Sequence, residues 1–472
     1  MADNKWRILT AVLIGTIMGP LDASVVYIAM PAIAQVFEVE PALVGWVSIS
    51  YLLVLGSFLL SFGRLGDIFG FKKIYLRGLL LFVVTSALCG VAVNLQTLIV
   101  FRVLQAVGAG MIMAMGPAIV TAAFPPTERG KALGLIGMAV AVGLALGPSL
   151  GGLLTEWVGW RAIFFLNIPV GTAAYLWGWR VLSEFSGTAR QRFDGLGSLL
   201  AFISLATLLF AVSRGGEMGW SWQFFILLGL GIISGALFIL FEKKCPEPML
   251  DLNLFRSSVF SAGNGAALLN FMTQYVIVFL TPFFLQRVLG YSPGQAGAVM
   301  TAFPFTVLVI APLAGALSDR IGQRGPALLG SFICTVAAVG FSRLGDQATA
   351  LEVAWRLSLF GLGTGIFQSP NNSAVLGAAP KNRTGIASGV LATTRNVGMV
   401  LGIALGGAVL ANREAFYLAN SYFHPFLLGL KDAYSAAALV SGLGTGICFF
   451  MTPQKKDLSS SVSQPDRRGV SR

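Results

Sequence analysis

Gly63-Arg64-Leu65-Gly66-Asp67-Ile68-Phe69-Gly70-Phe71-Lys72 returns later in the chain as Gly315-Ala316-Leu317-Ser318-Asp319-Arg320-Ile321-Gly322-Gln323-Arg324. Gly, Leu, Asp, Gly and a cation recur 252 positions on. A second pair sits at nearly the same offset. The glycine-rich run from Gly143 to Gly152 matches the run from Gly398 to Gly407 at six of ten positions, 255 residues on. Two independent matches at one offset mark an internal duplication, and both lie beside long apolar runs.

Those runs set the class. The chain has 472 residues, 56% hydrophobic and 11% charged, where a soluble protein of this size carries about 25% charged residues. Apolar stretches of twenty or so residues recur throughout, the length a helix needs to cross a hydrocarbon core about 30 Å thick. The sequence therefore predicts an all-α polytopic membrane protein. Fourteen spans are expected, at about 8–31, 43–62, 75–94, 97–120, 131–154, 162–182, 195–213, 222–241, 258–285, 293–317, 326–343, 352–377, 384–410 and 432–451. The first run lacks a small-residue cleavage site and holds an acid, so it reads as a retained helix.

The net charge of +12 does not point to nucleic acid, because the cations lie in short loops between spans. Lys and Arg concentrate in the N-terminal segment, in alternate loops and in the tail, which predicts cytoplasmic termini. The repeats are eight spans apart. The expected organisation is thus a six-helix bundle over 1–182, a linker with two extra helices over 183–257, a second six-helix bundle over 258–452 and a disordered tail over 453–472. Parallel six-helix halves fit a transporter architecture with substrate bound between them near the midplane. One chain holds both halves, so a monomer is expected.

Asp22 is the acid placed deepest within a span. A carboxylate at mid-membrane costs roughly 2.5–3.5 kcal/mol on insertion scales. Burial disfavours its charge and a nearby cation favours it, so such a group can load and release a proton. Arg102 falls at matched depth in the fourth span. Both lie on the order of 10–13 Å below the outer surface at 1.5 Å per residue, close enough for an ion pair. Protonation of Asp22 would free Arg102 and change the local field. Gly143, Gly147, Pro148, Gly151 and Gly152 share one helix face, and Pro148 removes a backbone hydrogen bond. They predict a bendable seam. Asn270, Gln274 and Tyr275 in the ninth span, with Gln368 and Asn371 in the twelfth, are candidate cavity polar groups.

Here a family becomes recognisable. Gly63–Lys73 resembles the signature between spans 2 and 3 of the major facilitator superfamily. Arg102-Val103-Leu104-Gln105-Ala106-Val107-Gly108-Ala109-Gly110 is similar to its span 4 signature, and Gly143–Gly152 to the span 5 signature of its antiporters. Leu21-Asp22 through Pro31, and Trp160-Arg161 through Gly171, resemble the fourteen-span drug:proton antiporter branch. The resemblance implies a proton-coupled antiporter exporting hydrophobic or amphipathic compounds, cationic ones included, across the cytoplasmic membrane. It implies proton coupling at Asp22 and Arg102. It also implies a cytoplasmic gate at Gly63, Asp67, Gly70 and Lys72, with Asp319 and Arg320 as the repeat counterpart. Some members of the branch carry further acids in the C-terminal half. Spans 9, 10 and 12 here have none at mid-membrane, which disfavours a dication-selective site.

Protons are the expected coupling ion, and membrane lipids surround the chain. No cofactor and no metal is expected. The four cysteines, Cys89, Cys245, Cys334 and Cys448, form no CxxC pair, and no Walker-type GxxxxGK[ST] loop or HExxH motif occurs, so ATP energisation and enzyme chemistry are not supported. Export of a lipid or lipid precursor, or transport of one narrow class of metabolite, are the alternatives on the same scaffold.

Overall fold

The computed structural model describes residues 2–184, 195–218, 221–244, 252–380 and 383–451. The expected tail over 453–472 and Cys245 lie outside the described residues, as do the side chains of Arg64 and Asp67.

The chain is all helix among the described residues. The N-terminal half contains α1 (Ala2–Val36), α2 (Trp46–Phe69, entered by a turn at Pro41–Val44), α3 (Phe71–Gly90), α4 (Leu95–Ala123), α5 (Arg129–Trp157) and α6 (Asn167–Val181, entered by Ala162–Phe165). An inserted pair follows, α7 (Gly195–Met218) and α8 (Trp222–Lys244). The C-terminal half contains α9 (Ser258–Phe283), α10 (Ala302–Ile321, preceded by Pro293–Met300), α11 (Arg324–Ser342), α12 (Ala350–Gly377), α13 (Thr384–Ala419) and α14 (Pro425–Cys448). A helix stands at each expected span. Among the described residues twelve are long and apolar enough to cross a membrane; α7 and α12 are the two outside that group.

One expectation needs correction. The Gly63–Phe69 stretch is the last two turns of α2 rather than a loop, and the chain turns at Gly70 alone. Gly70 adopts φ +94, and its repeat counterpart Gly322 adopts φ +89. A left-handed backbone at a helix end is cheap only for glycine, which is why glycine stands at both places. Gly70 alone separates Phe69 from Phe71, whereas Gly322 and Gln323 together separate Ile321 from Arg324. The second difference is length. Helix α13 runs to Ala419, nine residues past the expected span, and carries Arg413 and Glu414 on helix.

The duplication reappears as packing. In the first half α1 packs on α5, α2 on α4 and α3 on α4; in the second α9 packs on α13, α10 on α12 and α11 on α12. Across the halves α2 meets α13, and α5 meets Pro293–Met300 and α10. Without a hydrophobic drive between helices in lipid, close association relies on small residues. An ideal Cβ on Gly143 would lie 2.9 Å from Ile17 O, and one on Gly151 2.9 Å from Val25 Cα. The equivalent seam in the second half is as tight, with Gly398 2.6 Å from Leu268 O and Gly402 2.3 Å from Met272 O. In α1, 67% of the apolar window is buried within the protein, whereas α8 buries only 11% of its own. Helix α1 is therefore central and α8 peripheral.

Candidate functional site

We define the distal face as the one at which α1, α5, α9 and α13 end. There the halves are joined. Gln286 Nε2 donates to Ile28 O at 3.0 Å, and Ser149 and Thr301 share a hydroxyl bond at 2.7 Å. Glu156 at the end of α5 accepts from Ser292 Oγ and from Gly294 N, both at 2.8 Å. The backbones nearly touch. A Cβ on Gly152 would lie 2.3 Å from Pro293 O, and one on Gly297 2.2 Å from Pro148 O. The repeat counterpart Gly407 approaches Ala42 Cα in the same manner, at 3.0 Å. At the opposite, proximal end of α5, a Cβ on Gly130, Gly134 or Gly137 would meet nothing within 4 Å.

A cavity of about 360 Å³ lies between the halves beneath this closed face. Its polar lining comes from Tyr27, Gln274, Tyr275, Gln368, Arg395 and Asn396, against Phe271, Phe303, Met113 and Met300. Gln368 Nε2 faces Gln274 Oε1 at 3.4 Å, and the Tyr27 and Tyr275 rings meet edge-on with centroids 5.7 Å apart. The site thus has the apolar walls and few convergent polar groups typical of a small-molecule pocket. Gln274, Tyr275 and Gln368 stand where the sequence suggested. Asn270 and Asn371 do not line this cavity. Asn270 donates to Cys334 Sγ at 3.6 Å, and both asparagines are buried inside the C-terminal half. Their helices carry polar groups on more than one face, and sequence spacing alone did not say which face looks inward.

Behind the cavity wall, one turn from Tyr27, sits a buried charge cluster. Asp22 and Arg102 are fully buried. Arg102 Nη1 donates to Asp22 Oδ2, and to Gln105 Oε1 at 2.7 Å. Asp22 Oδ1 accepts from Asn167 Nδ2 at 2.8 Å and from Gln105 Nε2 at 3.1 Å. Arg102 Nε donates to Val47 O at 3.2 Å, and its guanidinium lies over the Tyr51 ring, 4.2 Å from the centroid. Gln105 Nε2 also reaches Ser86 Oγ at 2.6 Å. Five helices, α1, α2, α3, α4 and α6, therefore converge on one carboxylate–guanidinium pair. Removing one partner of such a pair strands a charge in low dielectric. Arg102 Nη2 makes no hydrogen bond to protein among the described residues.

The glycine seam connects this cluster to the halves. Gly147 abuts Ser24, two residues from Asp22, with 2.3 Å from an ideal Cβ to Ser24 Cβ. Ser24 Oγ donates to Leu144 O at 3.0 Å. Gly143, Gly147 and Gly151 thus face α1 within the half, while Gly152 faces Pro293 across it. Pro148 lines the cavity between them.

At the proximal end, Lys72 Nζ donates to Trp179 O at 3.1 Å, within its own half. Asp319 and Arg320 are exposed. Gly63 lies in helix α2 and Gly70 at the turn; the Asp67 side chain lies outside the described residues. The cation of the cavity, Arg395, was missed from sequence, although an arginine inside an apolar span is itself a signal of function. Glu156 was missed too, because it falls at a span end where acids are ordinary. Among the described residues no group of His, Cys, Asp and Glu side chains has a metal-binding arrangement.

A second, more apolar pocket of about 540 Å³ lies beside the halves, between α2, α7, α8, α9 and α13. It is set by the inserted pair and lined by Gly56, Ser204, Leu205, Phe238, Asn264 and Thr393, among others. The central cavity better fits a transport site, because it lies between the two halves and adjoins the buried pair.

The family model "Major Facilitator Superfamily" matches residues 12–193 and 185–403. The riboflavin transporter RibZ of Clostridioides difficile (strain 630) is 35% identical over 462 residues, which is 97% of this chain and 100% of that one. The multidrug resistance protein Stp of Mycobacterium tuberculosis (strain CDC 1551 / Oshkosh) is 34% identical, covering 86% of this chain and 76% of its own. The tetracenomycin C resistance and export protein of Streptomyces glaucescens is 32% identical, covering 88% and 77%. The inward-facing crystal structure of a bacterial homolog to the human lysosomal transporter Spinster superposes with a TM-score of 0.69 at 16% identity, over 95% of this chain and 97% of that one. It shares the fold. By its paired halves, its central cavity and its full-length relatives, this chain belongs to the Major Facilitator Superfamily and is a multi-pass membrane transporter, not an enzyme.

Proposed function

We propose that the protein is a proton-coupled antiporter that exports amphipathic compounds from the cytoplasm by alternating access, with fourteen membrane spans as in the drug:proton branch. The observation that carries this reading is the Asp22–Arg102 pair, fully buried behind the wall of a cavity between the two halves. The positive-inside pattern makes the distal face the outer one, so this is the inward-facing state of the cycle. In the outward-facing state Asp22 takes a proton. The neutral acid no longer holds the guanidinium by charge, and α1 is released to shift against α5 along the Gly143–Gly151 seam. Return to the inward-facing state delivers the proton to the cytoplasm and restores the pair. One charge crossing 100 mV is worth about 2.3 kcal/mol, which sustains a gradient of about fifty-fold.

The relatives named for riboflavin transport, multidrug resistance and tetracenomycin C export support a small organic cargo. The test is export of riboflavin and of the neutral dye Nile red from cells expressing wild type or Asp22→Asn, with and without a protonophore. Export by wild type that both the substitution and the protonophore abolish supports the reading. Export that survives both treatments overturns it.

A lipid or lipid precursor is the second reading, and the apolar pocket beside the inserted helices favours it. Translocation of a fluorescent phospholipid in proteoliposomes, with no movement of either dye, would replace the first reading by this one.

A further inference from the structure

Every charged group in the N-terminal pair is compensated: Asp22 and Arg102 neutralise each other. Arg395 is different. It lies on α13 at mid-span and is the one charged side chain lining the central cavity among the described residues. Its Nη2 donates to Asn372 Oδ1 at 2.5 Å, and its guanidinium lies near the Phe271 ring, 5.7 Å from the centroid. Its Nε is buried without a partner. No carboxylate among the described residues pairs with it. Arg395 is partly exposed, and what it faces is the cavity rather than a carboxylate; an isolated arginine in a membrane span marks a functional site by default. Here the only compensation is one amide oxygen and an aromatic face, both weaker than a carboxylate.

A neighbour completes the geometry. Gln274 and Gln368 supply amide groups on the C-terminal wall of the same cavity, and Tyr27 and Tyr275 supply aromatic edges from both halves. Planar guanidinium forks match planar acceptor groups. An aromatic core can stack in the cavity while its oxygen edge meets the fork. A cationic ligand would instead meet an uncompensated like charge in low dielectric.

We infer that Arg395 selects the cargo, and that the central cavity takes planar aromatic compounds bearing an anionic or carbonyl-rich acceptor group while rejecting lipophilic cations. This rests on the reading of the cavity as the transport site. It narrows the substrate class but does not depend on proton coupling.

The experiment is equilibrium binding to the purified full chain in detergent, using two dyes on one xanthene skeleton, anionic fluorescein and cationic rhodamine 123. Wild type is expected to bind fluorescein at least ten-fold more tightly than rhodamine 123. Arg395→Gln should weaken fluorescein binding by about 10–100-fold and narrow or reverse the preference, while Arg395→Lys keeps the preference for the anion. Thermal unfolding of each variant, with Asn372→Ala alongside, separates selection from tethering of α13 to α12. A merely structural arginine would lower stability in Arg395→Gln without changing the ratio of the two affinities. Equal affinities in wild type, a preference for rhodamine 123, binding of neither dye, or an unchanged ratio in Arg395→Gln overturns the inference. Binding selective for fluorescein in wild type and Asp22→Asn alike, with no flux responsive to a proton gradient, would retain the inference and overturn the coupling mechanism.

Discussion

Asn167 Nδ2 donates to Asp22 Oδ1 at 2.8 Å, so α6 contributes a donor directly to the buried carboxylate of its neighbour α1. Asn167 is the first residue of α6, and Leu166 before it keeps helical dihedrals (φ -54, ψ -35). The side chain is buried, on the face turned toward α1. Asn167→Ala removes one of three donors to the Asp22 carboxylate. A hydrogen bond to a charged group contributes about 1.5–3 kcal/mol, so the variant should unfold at a lower temperature in detergent and export more slowly. Thermal unfolding and initial export rates on one preparation test this, and wild-type values for both would remove Asn167 from the cluster.

Arg102→Ala leaves Asp22 in a dry interior without its cation. Breaking a buried pair on one side costs about 3–5 kcal/mol. The single variant should unfold at markedly lower temperature in detergent. The double variant Asp22→Asn, Arg102→Gln has no stranded charge, and should recover most of that stability while remaining without proton-driven export. Thermal unfolding and efflux on the same preparations separate the structural role of the pair from its transport role.

Gly152→Ala places a methyl group about 2.3 Å from Pro293 O, across the halves. Backbone cannot yield there without parting the distal face. The substitution should shift the resting population toward the state open on that side and slow export at least ten-fold. Gly130→Ala, on the same helix but with nothing within 4 Å, should leave both unchanged. Distances between spin labels on the two halves provide the readout.

Glu156→Ala removes the acceptor of two bonds that tie α5 to the start of Pro293–Met300. Bonds to a charged group contribute about 1.5–3 kcal/mol each, less where water competes at this exposed position. The distal contact should loosen in the same direction as in Gly152→Ala, but less. Glu156→Gln retains an acceptor and should lie between. The same spin-label distances rank the three variants.

Much of this is legible in the sequence itself. Apolar run length announces helices because bilayer thickness fixes span length, and the glycine repeats marked a close-packed face on α5 and on its counterpart α13, but not which helix each packs against. Matched depth brought Asp22 and Arg102 to one level. The rest turns on rotation about a helix axis. Asn270 and Asn371 lie on polar-bearing helices, yet they point into the C-terminal half rather than the cavity, and a one-residue change of position rotates a side chain by about 100°. Arg395 carries its own signal as an isolated cation in a span, but only the fold shows that it lines the cavity without an acid. The Gly63–Phe69 stretch looks like a loop because it is charged, and it is helix because α2 extends past the apolar core.

The central claim is that Asp22 carries the coupled proton. Proteoliposomes containing the full chain and a lumenal pH-sensing dye test it directly, with riboflavin and fluorescein offered as cargo. Wild type should move protons when, and only when, cargo moves the other way. Asp22→Asn should move none, while still exchanging labelled for unlabelled cargo across the membrane without a gradient. Cargo-dependent proton movement in Asp22→Asn equal to that in wild type would contradict the account, as would cargo transport by wild type with no proton movement.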